Sequence, residues 1–362
     1  MSNSSSTPSS LAPLDRSSWK RVRLGDVLNY EQPYPYIVKS TEYEKAGIPV
    51  LTPGKTFILG YTHETEGVCH ASFESPKILF DDFLTISRLV QFDFKVKSSA
   101  LKILTPVSDK FNIYFLFYAM SLLKFEVTDH QRHWIERFSK LEIQIPDKAV
   151  QDKIASSLSA VDGHLASLEE LVSKYEAIKK STVSLLLRPQ PTWQTKPLGD
   201  LSFIKTGTRN TQDAVKDGKY PFFVRSPIVE RINTFSFDGE AVLVAGDGVG
   251  AGKVFHYVNG KHDCHQRVYR LCNFSAEVCG RYVYHVLTSR FPIYMEQRND
   301  KASVDSLRLP TFKEFPVQYP EIDEQRKIVH AIDTCDAMLS SLAAEREKLA
   351  SLKRGLLRHF FG

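Results

Sequence analysis

The sequence contains one unit twice. "IPDKAVQDKIASSLSAVDGHLASL" begins at Ile145 and "YPEIDEQRKIVHAIDTCDAMLSSL" at Tyr319, an offset of 174. At that offset Pro146 meets Pro320, Gln151 meets Gln325, and Lys153-Ile154 meets Lys327-Ile328. Asp162, Leu165 and Leu168 meet Asp336, Leu339 and Leu342, and Phe138 meets Phe312. Further back, "WKRVRLGD" (Trp19 to Asp26) meets "WQTKPLGD" (Trp193 to Asp200) at the same offset. A repeat of this length is a domain-sized unit, and each copy reads as a globular part followed by a helical part.

The helical parts carry a heptad stripe, the mark of a coiled-coil seam. In the first, Ile154, Leu158, Val161, Leu165, Leu168, Val172 and Tyr175 are spaced 4, 3, 4, 3, 4, 3. In the second, Ile328, Ile332, Cys335, Leu339 and Leu342 follow the same steps, and Leu349 resumes the seam. Pro146 and Pro320 precede the helices, where proline is tolerated, and Pro189 and Pro191 end the first. The link to the second globular part is short, so a second helix packed on the first must run antiparallel to it. Ile154 to Leu187 gives a rod of roughly 50 Å. Two heads held so could read two short sites on one duplex face, more than one turn of about 34–36 Å apart. The alternative is that each helix only covers its own globular domain.

The expected fold is α+β: two globular mixed α/β heads separated by two long helices packed as an antiparallel coiled coil, pseudo-twofold from the repeat. The expected boundaries are a Ser-rich disordered tail at 1–18, heads at 19–145 and 189–319 (the latter with its short linker), and helices at 146–188 and 320–362. Apolar runs suggest strands in both heads, with helices over Ile113 to Leu123 and Gly280 to Thr288. At 42% apolar and 25% charged residues the chain belongs with ordinary globular proteins. No apolar run approaches the length of about 20 residues that spans a bilayer, and the N-terminus lacks the pattern of a signal peptide. Five cysteines without a CxxC favour reduced thiols and a cytoplasmic location.

Three stretches invite an enzymatic reading. "GDGVGAGKVFHY" (Gly246 to Tyr257) follows an apolar run, as a phosphate-binding loop does. A Walker A loop ending at Gly252-Lys253 needs glycine at 247, which is Asp247, and a hydroxyl after Lys253, where Val254 stands. Gly246, Gly248 and Ala251 satisfy the Rossmann pattern in form, but the alternation that follows predicts a strand rather than the required helix. "HDCH" (His262 to His265) lacks the paired spacing of a zinc site. Asp82 with Asp93-x-Lys95 resembles a magnesium nuclease pattern too short to be specific. No [NDS]-P-P-[FYW] tetrapeptide of an amino-methyltransferase occurs. The expectation is no catalytic residue, no metal and no cofactor in this chain. A nuclease or nucleotide-dependent enzyme using the Gly246 loop, and a structural adaptor that binds no DNA, remain as alternatives.

Head one carries 16 Lys/Arg against 15 Asp/Glu and head two 17 against 13, so neither is a strongly basic surface. Recognition of a polyanion would rest on specific contacts rather than a smooth field. Candidate contacts in head one are Arg88, Lys95, Lys97, Ser98, Ser99, Lys102, His130, Arg132 and His133. Those in head two are Arg209, Arg225, Lys253, Lys261, His262, His265, Arg267, Arg298 and Lys301. Arg and Lys pair with guanine, Asn and Gln with adenine.

The doubled Trp-x4-Leu-Gly-Asp and Pro-x4-Gln-x-Lys-Ile motifs resemble the specificity subunit of type I restriction–modification systems. "FKVKSSALKIL" (Phe94 to Leu104) and "RHWIERFS" (Arg132 to Ser139) resemble one subtype of that family's target-recognition domain. Val150 departs from the pattern, standing where the second copy has Glu324. The resemblance covers the chain from Trp19 onward. It implies a non-catalytic reader of double-stranded DNA with a bipartite site, whose helices set the gap and dock two methyltransferase subunits. Restriction subunits would complete the nuclease. S-adenosylmethionine, ATP and Mg would belong to those partners, with no membrane involved.

Overall fold

The computed structural model describes residues 14–54, 56–125, 133–297 and 306–362. They form two compact units. One takes the chain up to Leu168 together with Glu345–Gly362, and the other is Glu169–Ala344.

The first head runs β1 (Lys20–Arg23), α1 (Leu24–Val27), β2 (Leu28–Glu31), β3 (Ile48–Leu51), β4 (Ile58–Thr62), β5 (Lys77–Asp81), β6 (Ser87–Val90), β7 (Lys95–Val96), β8 (Leu101–Pro106), α2 (Ile113–Ser121) and β9 (Glu142–Ile145). The long helix α3 (Lys148–Leu186) follows. The second head runs β10 (Gln194–Pro197), α4 (Leu198–Leu201), β11 (Phe203–Thr206), β12 (Tyr220–Phe223), β13 (Glu230–Ile232), β14 (Phe237–Ala245), β15 (Phe255–Cys264), β16 (Val268–Cys272), α5 (Gly280–Gln297), α6 (Leu309–Lys313) and β17 (Pro316–Tyr319). Helix α7 (Ile322–Phe361) ends the chain.

The repeated residues build an identical frame in each unit. Strand β1 pairs β9 with Lys20 opposite Ile145, and β10 pairs β17 with Gln194 opposite Tyr319, the same register 174 residues on. The first and last strands of each head therefore close on each other just before the long helix. The Leu-Gly-Asp turn locks this closure. Leu24 N–H donates to the Leu141 carbonyl at 3.0 Å and Leu198 N–H to the Phe315 carbonyl at 2.9 Å. A Cβ on Gly25 would sit 3.3 Å from Ser139 Cβ, and one on Gly199 would sit 3.1 Å from Lys313 Cβ, so the turn favours glycine for close packing.

The glutamine of the Pro-x4-Gln motif ties each long helix to its head. Gln151 Nε2 donates to the Pro146 carbonyl at 3.0 Å, and its Oε1 accepts from Asn112 N–H at 2.9 Å. Gln325 does the same with the Pro320 carbonyl at 2.8 Å and Cys279 N–H at 3.1 Å. Both glutamines are buried, and the groups they satisfy lie at helix starts, where backbone donors lack helical partners.

Inside the frame the heads share one topology despite their divergent sequences. Head one has sheets ordered β2-β8-β5-β6 and β4-β3-β7; head two has a single sheet ordered β11-β16-β14-β15-β12-β13. Strand β15 does the work of both β6 and β7: it lies antiparallel to β14 and then parallel to β12, as β7 lies parallel to β3. Gly239 and Gly260, directly opposed in register, both have positive φ (+146° and +131°) and let the paired strands turn there.

Each long helix begins on its own head and meets the end of the other helix. Ile154, Ala155 and Leu158 belong to the first head's core with Phe115, Ile143 and Ile145, and Leu356, Leu357, Phe360 and Phe361 pack against them. In the second unit Ile328 and Ile332 join a core with Leu187, against which Val183 and Leu186 pack. Start meets end in both units, so the helices pair antiparallel. This corrects the sequence reading in one respect: Ile154, Leu158, Ile328 and Ile332 are head-core residues as well as seam residues, because the first turns are wedged between head and partner helix. Val161, Leu168 and Leu342 are buried, while Leu165, Val172, Cys335, Leu339 and Leu349 are half-buried.

Two further expectations change. Leu14 packs on the first head's core, and Arg16 donates to the Gly362 carbonyl and, at 2.8 Å, to the His359 carbonyl, so residues 14–18 are not a free tail. Helix α5 runs on to Gln297 through Pro292, because its buried face (Tyr282, Val283, Val286, Leu287, Phe291) continues past Thr288. Packing of that face outweighs the backbone bond that proline removes.

Candidate nucleic-acid interface

In head two, Phe223 and Cys264 pack on Ala241, Leu243, Val268 and Cys272. The far half of β15 is thus folded over the sheet. That fold brings three loops together: the segment after β12, the glycine loop between β14 and β15, and the turn between β15 and β16.

The glycine loop is a backbone device. Gly246 N–H donates to the Arg267 carbonyl and the Gly246 carbonyl accepts from Leu307 N–H, both at 2.8 Å. Gly248 and Gly252 have positive φ, +72° and +64°. The loop returns into strand β15, not into the helix whose N-terminus would hold a pyrophosphate. At its tip Val249 is 96% exposed. The loop walls an open cleft of about 690 Å³ with Arg225, Ser226, Asp247 and Lys253.

Asp247 organises the charges of this cleft. Its carboxylate accepts from Arg225 Nη1 at 3.0 Å and lies 3.3 Å from Arg267 Nη1. Below them His265 Nδ1 accepts from Arg267 N–H at 3.0 Å. Burial, then the nearby Arg225, depresses the His265 pKa, and Asp247 only partly opposes this, so the imidazole stays neutral near pH 7.

Head one builds the equivalent place differently. The β5–β6 turn replaces the glycine loop, and the Asp81 carboxylate accepts N–H bonds from Gly54, Phe83 and Leu84 at 2.9–3.1 Å. Arg88 lies over the Phe57 ring at 4.6 Å and donates to the Gly54 carbonyl. The cavity there is only about 10 Å³, while Leu84 and Ile86 at the turn are exposed.

A sequence profile described as the type I restriction modification DNA specificity domain matches residues 16–179 and again residues 191–353. The two matches cover both repeats. The chain belongs to the type I restriction–modification DNA specificity family. It is 31% identical, over 91% of its length and 89% of the relative's, to the EcoR124I/EcoR124II specificity subunit of Escherichia coli. It is 29% identical to the E. coli EcoDI specificity subunit over 44% of its length and 35% of the relative's. In fold it resembles the crystal structure of the S subunit of a type I restriction–modification system from M. genitalium, with a TM-score of 0.78, 16% identity and coverage of 97% and 99% of the two chains.

The specificity-family fold sorts the candidate contacts by where they lie. Arg225 and Lys253 line the head-two cleft, Arg267 meets Asp247 beside it, and all three are exposed. Lys261 is exposed over the Phe235 ring, and Arg209 is half-buried against the Asp263 carboxylate at 3.3 Å. In head one Arg88, Lys97, Ser98 and Ser99 are half-buried, with Lys97 over the Tyr43 ring.

Five candidates are buried, and their side chains face other protein groups. Lys95 is held by Glu64 at 3.2 Å and by the Glu66 and Gly67 carbonyls. Lys102 pairs with Asp82 at 3.1 Å and donates to Gln32 at 3.0 Å. His133 is buried with its ring against Phe125. His262 is buried with Nδ1 2.8 Å from the Gly260 carbonyl, and His265 lies beneath Arg267. His130, Arg132, Arg298 and Lys301 lie outside the described residues.

The carboxylates of the nuclease-like pattern serve other partners: Asp82 pairs with Lys102, and Asp93 lies 2.9 Å from His70. Among the described residues no three His, Cys, Asp or Glu side chains gather as a metal site. No helix among them is long and apolar enough to cross a membrane. Sequence reasoning missed Asp247. In the sequence it only spoils a Walker loop; its place between two arginines from other loops appears in the structure alone.

Proposed function

We propose that this chain is the non-catalytic DNA-reading subunit of a cytoplasmic type I restriction–modification complex. Each head reads one half of a bipartite double-stranded site, and α3 with α7 sets the gap between the halves. The same helices dock two methyltransferase subunits, and restriction subunits complete the nuclease. S-adenosylmethionine, ATP and Mg serve the chemistry on those partners, where the target adenine is flipped out for methylation.

The observation that carries this reading is one frame built twice around different loops. The closing strands, the Leu-Gly-Asp turn and the glutamine tie recur in register, whereas the head-two cleft is open and glycine-walled and its head-one counterpart is closed under Arg88. A fixed frame with variable loops suits two readers of different sequences.

Methylome sequencing tests it, comparing a host that carries this chain and its cognate methyltransferase with a host lacking only this chain. The expected result is a split motif of two short half-sites, N6-methylated at adenine, that disappears without the chain. A contiguous motif sinks the two-headed assignment. No chain-dependent methylation, with both proteins expressed, favours an adaptor that reads nothing.

A further inference from the structure

We propose that Asp247 is a positioning residue that holds Arg225 and Arg267 side by side as the guanine-reading pair of the second head. This rests on the proposal that head two reads DNA, and it names the residues and the base.

The three side chains come from three separate loops, so their meeting is a product of the fold. Asp247 directly follows the residue pinned by Arg267 and Leu307, which sets its backbone position at the cleft floor. Its side chain is only 16% exposed, whereas those of Arg225 and Arg267 are 47% and 61% exposed. The carboxylate is therefore underneath and the guanidiniums face outward. Two guanidiniums on one carboxylate repel each other; Asp247 removes half of their charge, hydrogen-bonding Arg225 and ion-pairing with Arg267. A cluster built only for stability would gain little here, because exposed ion pairs contribute little.

The outward groups suit a base edge. Arginine is the commonest bidentate donor to guanine O6 and N7 in the major groove. Each guanidinium has five N–H donors and engages Asp247 through one nitrogen, which leaves donors for a base. The loop beside them is shaped for close approach. A Cβ on Gly250 would sit 2.8 Å from the Arg225 carbonyl, so the loop backbone lies directly on that residue. The loop then carries Val249 out beyond the arginines as an apolar tip suited to a thymine methyl.

The test is methylome sequencing of the complex with Arg225→Gln, Arg267→Gln, Asp247→Asn and Asp247→Glu, beside a chain whose residues 191–319 are exchanged for those of a relative with a different site. Each arginine variant is expected to relax one guanine in one half-site, with discrimination at that position falling about 5- to 150-fold. Asp247→Asn relaxes both guanines, Asp247→Glu restores them in part, and the other half-site is unchanged throughout. Uniform loss of methylation over all sites with the motif intact would make the arginines phosphate contacts and overturn the proposal. So would an Asp247→Asn motif identical to the parent's. If the exchange itself leaves both half-sites unchanged, head two is not a reader and the broader assignment fails. If the exchange changes a half-site but no point variant does, only the arginine pair is wrong.

Discussion

Lys353 lies 2.6 Å from Asp162, and Lys179 meets Asp336 in the same way 174 residues displaced. Exchanging the roles of the two helices reproduces the contact, as antiparallel pairing of a duplicated sequence requires. Asp162 also accepts from the Tyr118 hydroxyl at 2.8 Å, which connects the ion pair to the first head.

Reversing one partner, as in Lys353→Asp, is expected to lower stability by about 0.2–1 kcal/mol, because both side chains are about one-third exposed. The double exchange Asp162→Lys with Lys353→Asp should recover part of that loss. Thermal unfolding of the four variants measures the coupling, and zero coupling would remove this pair from the account of the helix register.

Gln325→Ala leaves the Cys279 N–H and the Pro320 and Glu277 carbonyls without their buried partner. A loss of about 1–3 kcal/mol is expected. Gln325→Glu should be worse, since a carboxylate cannot donate to the two carbonyls. The comparable variants of Gln151 should act on the first head. Denaturant titration that ranks alanine below glutamate in stability contradicts the role assigned to the donated bonds.

Lys102→Met tests the buried ion pair of head one. Removing the ammonium leaves Asp82 buried with its charge unopposed, at a cost of about 3–5 kcal/mol. The methylated motif should not change in molecules that remain folded. An altered motif with unaltered stability would return Lys102 to the DNA interface.

Burial depresses the pKa of His256, His262, His265 and His285, all in the second unit. Their unfolded value is near 6.5, so the unfolded chain takes up protons first as the pH falls. The stability these neutral rings contribute is fully present above about pH 6.5 and is lost as pH drops through the lower folded values. Hydrogen exchange at pH 7.5 and 5.5, scaled for the intrinsic chemical rate, should show residues 191–319 opening more readily at the lower pH. Equal protection at both would contradict the shifts.

Removing residues 167–173 of α3 and the equivalent residues 341–347 of α7 deletes one heptad from each and keeps the seam in phase. The methylated motif should keep both half-sites and lose base pairs only from the gap. A change within either half-site would refute the ruler role of the helices.

The duplication and the heptad seam were legible in the sequence, because they depend on periodicity and local backbone chemistry. Pro146 and Pro320 mark helix starts wherever they occur, and Ile154 to Val172 form a stripe on any helix. The strand that follows the Gly246 loop was legible for the same reason: Val254 and the alternation after it are local facts. Charge was not legible. Lys95 and Lys102 look like surface groups in the sequence, yet Lys95 meets Glu64 and Lys102 meets Asp82 and Gln32 only when segments distant in the chain are brought together. Asp247 is the reverse case: in the sequence it only breaks a glycine pattern, and its contacts with Arg225 and Arg267 appear when two other loops arrive. Helix and strand propensity act over a few residues, whereas the burial and pairing of a charge depend on every segment packed around it, and only the tertiary structure assembles those.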